Sequence, residues 1–174
     1  YEKSTTKKYP ILILLDGDYL FDPFYGALNY GGYWDDLPET IIVGINQNQN
    51  DERADDCYSD QADGLPAEKG ARFFEFIGGE LLPYIEKKYR AAPFRMIAGH
   101  DTTAGFINFF LYKEYSIFNA YISLSPELAT DMETRIPEKL TQLKQRAIRK
   151  KRIFLINLRQ IALPLEAKTR NHPQ

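Results

Sequence analysis

The chain has 174 residues, 44% of them hydrophobic and 14% aromatic, which is enough for a sizeable core, and no linker divides it, so one domain over residues 1–174 is expected. Its 22 basic residues are outnumbered by 24 acidic ones, so the chain as a whole does not attract nucleic acid or an anionic membrane, and any basic binding site must be local. Cys57 is the one cysteine, which excludes an intrachain disulfide and a thiolate-rich metal site, and the early apolar run from Ile11 to Leu15 is far too short to span a bilayer. The sequence opens on Tyr1 rather than methionine and shows no charged-then-apolar leader, so further sequence upstream is expected.

In chain order, the first apolar stretch is "ILILL" (11–15), read as a buried strand. "LLDGDYLFD" then places Asp16, Gly17 and Asp18 just beyond it. A second strand is expected at "TIIVGI" (40–45), followed by the polar, turn-rich and acidic loop "NQNQNDERADDCYSD". Residues 68–89 carry Phe73, Phe74, Ile77, Leu81 and Ile85 at helical spacing, with Gly78, Gly79 and Pro83 expected to weaken or kink the middle. "FRMIAG" (94–99) is a third strand, Thr102 to about Tyr112 a helix, "AYISLS" (120–125) a fourth strand and "RIFLINL" (152–158) a fifth. These stretches are continuous rather than alternating, the pattern of a parallel sheet covered on both faces, with gaps long enough for helical crossovers. The architecture read from them is three-layer α/β with a mainly parallel sheet. The strands ending at Gly99 and Ser125 are expected to be parallel neighbours joined by the helix from Thr102. Ligands in such sheets sit beyond the carboxyl ends of the strands, so the loops after Leu15, Ile45, Gly99 and Ser125 matter most.

Five segments occur in an order that resembles one family. "YPILILLDGDYLF", "LPETIIVGI", "FIGGELLPYIEKKYR", "RMIAGH" and "FNAYISLSPEL" follow one another as they do in the putative esterase family, which has the α/β-hydrolase fold and includes siderophore esterases. The resemblance covers roughly residues 7–130. It implies a serine hydrolase acting on small-molecule esters without a cofactor, with the serine at the tip of G-x-S-x-G, an acid after a later strand and a histidine after the last. It also implies that N-terminal strands of the family fold are missing here, and that the segment from about 140 is atypical.

The chain departs from this pattern at the nucleophile. In "IAGHDTTAG" (97–105) Asp101 aligns with the serine. A carboxylate attacking an ester would form a mixed anhydride, an energetically poor intermediate. Dehalogenases and epoxide hydrolases of the same fold do place Asp in this elbow, where it displaces at saturated carbon. Asp101 can equally be read as the N-cap of the following helix. Thr103 stands where the pattern has glycine, and its β-branched side chain is expected to crowd the turn. His100 is expected to pack beside the site rather than to face residue 101.

The partners of the nucleophile are missing as well. After "RIFLINL" the chain runs "RQIALPLEAKTRNHPQ", leaving only His172, which reads as a tail residue. "KQRAIRKKR" (144–152) packs six basic residues into nine and reads as a solvated helix face, so nucleic-acid binding is not expected. By the resemblance, Gly17 and Asp18 are candidate oxyanion-hole donors with Thr102, although an Asp-Gly turn explains them equally well. Arg53 could face an anionic group of the substrate. The acidic loop lacks EF-hand spacing, and no metal site is expected. The reading is an esterase-family hydrolase impaired at its nucleophile. The alternatives are a non-catalytic protein that keeps the pocket, or a hydrolase using Asp101 as a carboxylate nucleophile.

Overall fold

The computed structural model describes residues 5–46, 52–60, 62–113, 116–129 and 131–149. Four strands, β1 (Tyr9–Leu14), β2 (Ile41–Gly44), β3 (Ala91–His100) and β4 (Ala120–Leu124), form one parallel sheet in the order β2-β1-β3-β4. The helices are α1 (Gly17–Tyr33), α2 (Arg53–Asp56), α3 (Glu68–Glu75), α4 (Leu82–Lys88), α5 (Thr102–Ile107) and α6 (Met132–Arg149).

The apolar run of β1 feeds two cores at once. Ile11, Ile13 and Leu15 point to a large cluster with Ile77, Ile85, Phe106, Phe110 and Met132, which places α3 to α6 on that face. Leu12 and Leu14 point the other way, against Leu20, Phe24 and Leu28 of α1. Alternation along a strand sends neighbours to opposite faces, so a continuous apolar run is what a sheet covered on both sides requires. The strand at 40–45 was expected to be buried too, but β2 is half-buried because it is an edge of the described sheet. The stretch 152–158 lies outside the described residues.

The strands flanking α5 behave as their sequences imply. Gly99 of β3 pairs with Ser123 of β4 in parallel register, and β3 is interior to the sheet. From Thr103 to Leu111 every residue is buried, so this helix is enclosed on all sides. Its last part, Asn108–Tyr112, tightens to a 3-10 helix, where the sequence reading expected one continuous helix. Gly105 meets the chain after β4 so closely that a Cβ would lie 1.8 Å from the Glu127 carbonyl oxygen.

The helix expected over 68–89 exists in two parts, with π-helical geometry over Phe76–Leu81 between them, where Gly78 and Gly79 sit. A π segment inserts an extra residue into the turn and shifts the helical phase. Leu82 is therefore fully buried alongside Ile77 and Ile85, while Leu81 is only partly buried. Among the described residues no helix is long and apolar enough to cross a membrane.

Candidate active site

The loops at the carboxyl ends of the strands gather four acidic or basic groups whose environments differ sharply. Asp16, one residue beyond Leu15, is fully buried. A buried carboxylate persists only if it is paired and hydrogen-bonded. Its Oδ1 accepts from Arg53 Nε at 2.8 Å, and its Oδ2 accepts from the His100 N–H at 3.1 Å and from the Thr103 hydroxyl. Burial pushes the Asp16 carboxyl up, but the bonds from Arg53, Thr103 and the His100 N–H outweigh it and hold it below the usual carboxylate range. The inward turn of this side chain also explains why Asp16, although it precedes α1, does not cap it.

Arg53 ties this buried anion to the surface. Its Nη2 donates to the His100 carbonyl at 2.5 Å and to Tyr19 Oη at 3.4 Å, and its Nη1 lies 3.6 Å from Asp101 Oδ2. The hydrogen bond to Asp16 raises the guanidinium pKa further, so the charge at the mouth is permanent. Tyr19 Oη in turn pairs with His100 Nδ1 at 3.1 Å, the two rings meeting edge to face. His100 thus packs beside the site, as its sequence position implied.

Asp101 occupies the turn between β3 and α5 with φ 57° and ψ −117°. This is the region that a type II′ turn reserves for glycine, and the sharp strand-to-helix bend is that of a nucleophile elbow. The backbone around it is fully engaged: its N–H donates to the Leu124 carbonyl at 2.9 Å, and its carbonyl accepts from the Gly105 and Glu127 N–H groups, both at 3.0 Å. The carboxylate makes no capping bond to α5 and is 54% exposed, which removes the helix-cap reading. Strain of this kind costs about 1–3 kcal/mol in a residue with a Cβ, so Asp101→Gly should raise stability by about 1 kcal/mol in urea unfolding despite the extra chain entropy of glycine.

Thr103 corrects the expectation of a crowded elbow. It is buried, and its hydroxyl lies between the Asp16 carboxylate and the His100 carbonyl, 3.0 Å from the latter. Room for it comes from Gly99, where a Cβ would stand 2.6 Å from Thr103 Oγ1 and 2.8 Å from its carbonyl carbon. One glycine of the pair is enough when the other position finds polar partners for its side chain.

The oxyanion candidates separate. The Gly17 N–H donates to the Ile45 carbonyl at 3.0 Å, so it is committed to joining the ends of β1 and β2. Asp18 and Thr102 stand in the first turns of α1 and α5, where backbone N–H groups lack intrahelical acceptors. The Thr102 hydroxyl donates to Glu127 Oε2 at 3.0 Å. Arg53 and Asp101, both singled out from sequence, are brought together. The roles of Asp16, Tyr19, Thr103 and Glu127 in connecting them were not foreseen. His172 lies outside the described residues, and among those residues no group of three or more His, Cys, Asp or Glu side chains could hold a metal ion.

Comparison with known proteins supplies the lineage. A family profile described as Putative esterase matches residues 1–150. A crystal structure of an uncharacterised protein from Capnocytophaga ochracea is similar at 26% identity and a TM-score of 0.73, over 82% of this chain and 39% of that one. An IroE-like serine hydrolase from Shewanella oneidensis is similar at 29% identity and a TM-score of 0.63, over 86% of this chain and 49% of that one. The siderophore hydrolase EstA from Aspergillus nidulans, at 19% identity and a TM-score of 0.61 over 83% of this chain and 54% of that one, shares the fold. No curated protein matches. The chain spans about two fifths to just over half of the length of these structures. With the profile covering most of its residues and an α/β-hydrolase-like sheet beneath the site, this chain belongs to the putative esterase family.

Proposed function

We propose that this chain is an esterase-family hydrolase domain in which cleavage of ester bonds is impaired, because Asp101 stands where the family places its serine. The observation that carries this reading is the pairing at the elbow: an exposed carboxylate in the nucleophile's backbone conformation, with a permanent guanidinium charge 3.6 Å away. Attack by that carboxylate on an ester carbonyl leads to an anhydride, and Arg53 lowers its nucleophilicity further by stabilising its charge. A base is also lacking among the described residues, where His100 is the one histidine and its Nδ1 is paired with Tyr19. The Asp18 and Thr102 N–H groups would remain to receive the carbonyl oxygen of a bound small-molecule ester.

The absence of a cap on Asp101 favours one other reading, a carboxylate nucleophile acting at saturated carbon. Both are tested by assaying the chain and Asp101→Asn with a chromogenic acetate ester and with a 1-haloalkane. The proposal predicts rates at background for both proteins on both substrates. Ester turnover by the unaltered chain would overturn impairment, and halide release that disappears in Asp101→Asn would replace it with the carboxylate-nucleophile reading.

A further inference from the structure

The hydrogen bonds of Arg53 stop one nitrogen short. Its Nε and Nη2 are engaged by Asp16, Tyr19 and the His100 carbonyl, whereas neither N–H of Nη1 has an acceptor among the described residues. Nη1 faces Asp101 Oδ2 at 3.6 Å, too far for a direct hydrogen bond. The Asp101 carboxylate, 54% exposed, likewise accepts no hydrogen bond from the described residues. Donors and acceptors therefore stand side by side, matched to each other in charge but not in distance.

Both halves of the pair are held in place. The guanidinium cannot turn to close the gap without giving up its bonds to the buried Asp16 and to the His100 carbonyl, and the Asp101 backbone is engaged at both its N–H and its carbonyl. Groups fixed in advance lose little entropy when a ligand arrives. Charge then selects the ligand. An anion approaching Nη1 meets Asp101, and a cation approaching Asp101 meets Arg53, so the pair favours a neutral ligand that brings an acceptor and a donor together. A hydroxyl does both, since its O–H rotates while its lone pairs accept. With two hydroxyls on adjacent carbons, one accepts from Nη1 while the other donates to Asp101. An amide fixes its carbonyl and N–H in one plane and cannot adjust in this way. Tyr19, 45% exposed and with its Oη 3.4 Å from Arg53 Nη2, places an aromatic ring beside the pair, against which a carbon skeleton can lie.

We propose that Asp101 and Arg53 together form a binding site for a vicinal diol, a neutral ligand with hydroxyls on adjacent carbons that is held without covalent attack. The inference rests on the reading in which Asp101 does not attack esters, and it gives that carboxylate the task of recognition. Both hydrogen bonds to the ligand are charge-assisted, which makes them the stronger kind.

The test is a saturation-transfer NMR titration of the chain with a cis-vicinal cyclohexanediol, beside cyclohexanol, cyclohexanecarboxamide and cyclohexanecarboxylate. The diol should bind saturably in the millimolar range, and cyclohexanol at least about tenfold more weakly because it gives up one of the two charge-assisted bonds. The amide and the carboxylate should bind no better than cyclohexanol. Asp101→Gly, which relaxes the turn rather than straining it, should lose the diol and gain the carboxylate, because Nη1 then stands without a competing anion. Arg53→Lys, which keeps a cation beside Asp16, should lose the preference for the diol. No saturable binding of the diol, equal binding of cyclohexanol or the amide, or diol binding unchanged in Asp101→Gly would each overturn the proposal. The diol carries no ester bond, so binding and turnover are read separately: turnover of the chromogenic acetate ester would overturn the impaired reading, whereas failure of the diol to bind would overturn this inference alone.

Discussion

Asp16→Asn should destabilise the fold by about 3 kcal/mol, because it leaves the Arg53 guanidinium half-buried beside a neutral group. The value falls at the lower end for a broken buried pair, since the Arg53 side chain is 22% exposed and water can partly solvate it. The double replacement Asp16→Asn/Arg53→Met should recover part of this loss, as expected when two partners are removed together. The carboxyl of Asp16 is held below its ordinary range in the folded chain, so its stabilising contribution is complete above the unfolded-state value of about 4 and fades as pH falls through the folded value. Urea unfolding from pH 7 down to pH 3 should therefore show the gap between the parent chain and Asp16→Asn narrowing in acid. A gap that widens in acid would mean that Asp16 is protonated in the folded state.

Phe110→Ala should destabilise by about 3–5 kcal/mol, the usual range for removing a fully enclosed ring. Phe110 is wholly buried and stacks on Phe74 at 4.1 Å between centroids, with Phe118 edge-on at 5.2 Å. Its neighbours in sequence are enclosed as well, since residues 103–111 are buried throughout, which limits how far they can shift into the space. Urea unfolding measures this directly, and a loss below about 1 kcal/mol would show that the cluster repacks. Replacing Phe76, which is 39% exposed and stacks on Phe73 at 6.5 Å between centroids, should by contrast cost less.

The strands were the most legible part of the sequence, because burial on two faces demands uninterrupted apolar runs such as "ILILL", and few other structures produce them. α1 was harder to see. Pro23 lies inside it and Gly26, Gly31 and Gly32 dilute its periodicity, so it is held by Leu20, Phe24 and Leu28 packing on the sheet rather than by propensity. The phase shift from Leu81 to Leu82 was invisible for a related reason, since a π segment changes the repeat that periodicity arguments assume.

At the site, Asp101 and Arg53 could be singled out because a carboxylate in an elbow pattern and a lone arginine in an acidic loop are both conspicuous. The buried role of Asp16 was not legible. In sequence it is half of an Asp-Gly turn, and only the packing of Thr103 and the backbone of His100 around it shows that it anchors Arg53. A rule about β-branched residues also misjudged Thr103, since its hydroxyl gains hydrogen bonds that a hydrocarbon branch could not make.

The proposal that the elbow lacks a working base is tested most directly by Asp101→Ser assayed with a chromogenic acetate ester beside the parent chain. On the proposed alignment, a serine at residue 101 would supply a hydroxyl nucleophile in the same strained turn, with Thr102 still following it. Catalytic triads act as units, and a serine without its base gains little. The expected result is therefore hydrolysis at the background rate in both proteins. Turnover that appears only in the serine variant would contradict this, and would show that an imidazole reaches residue 101 in the folded chain.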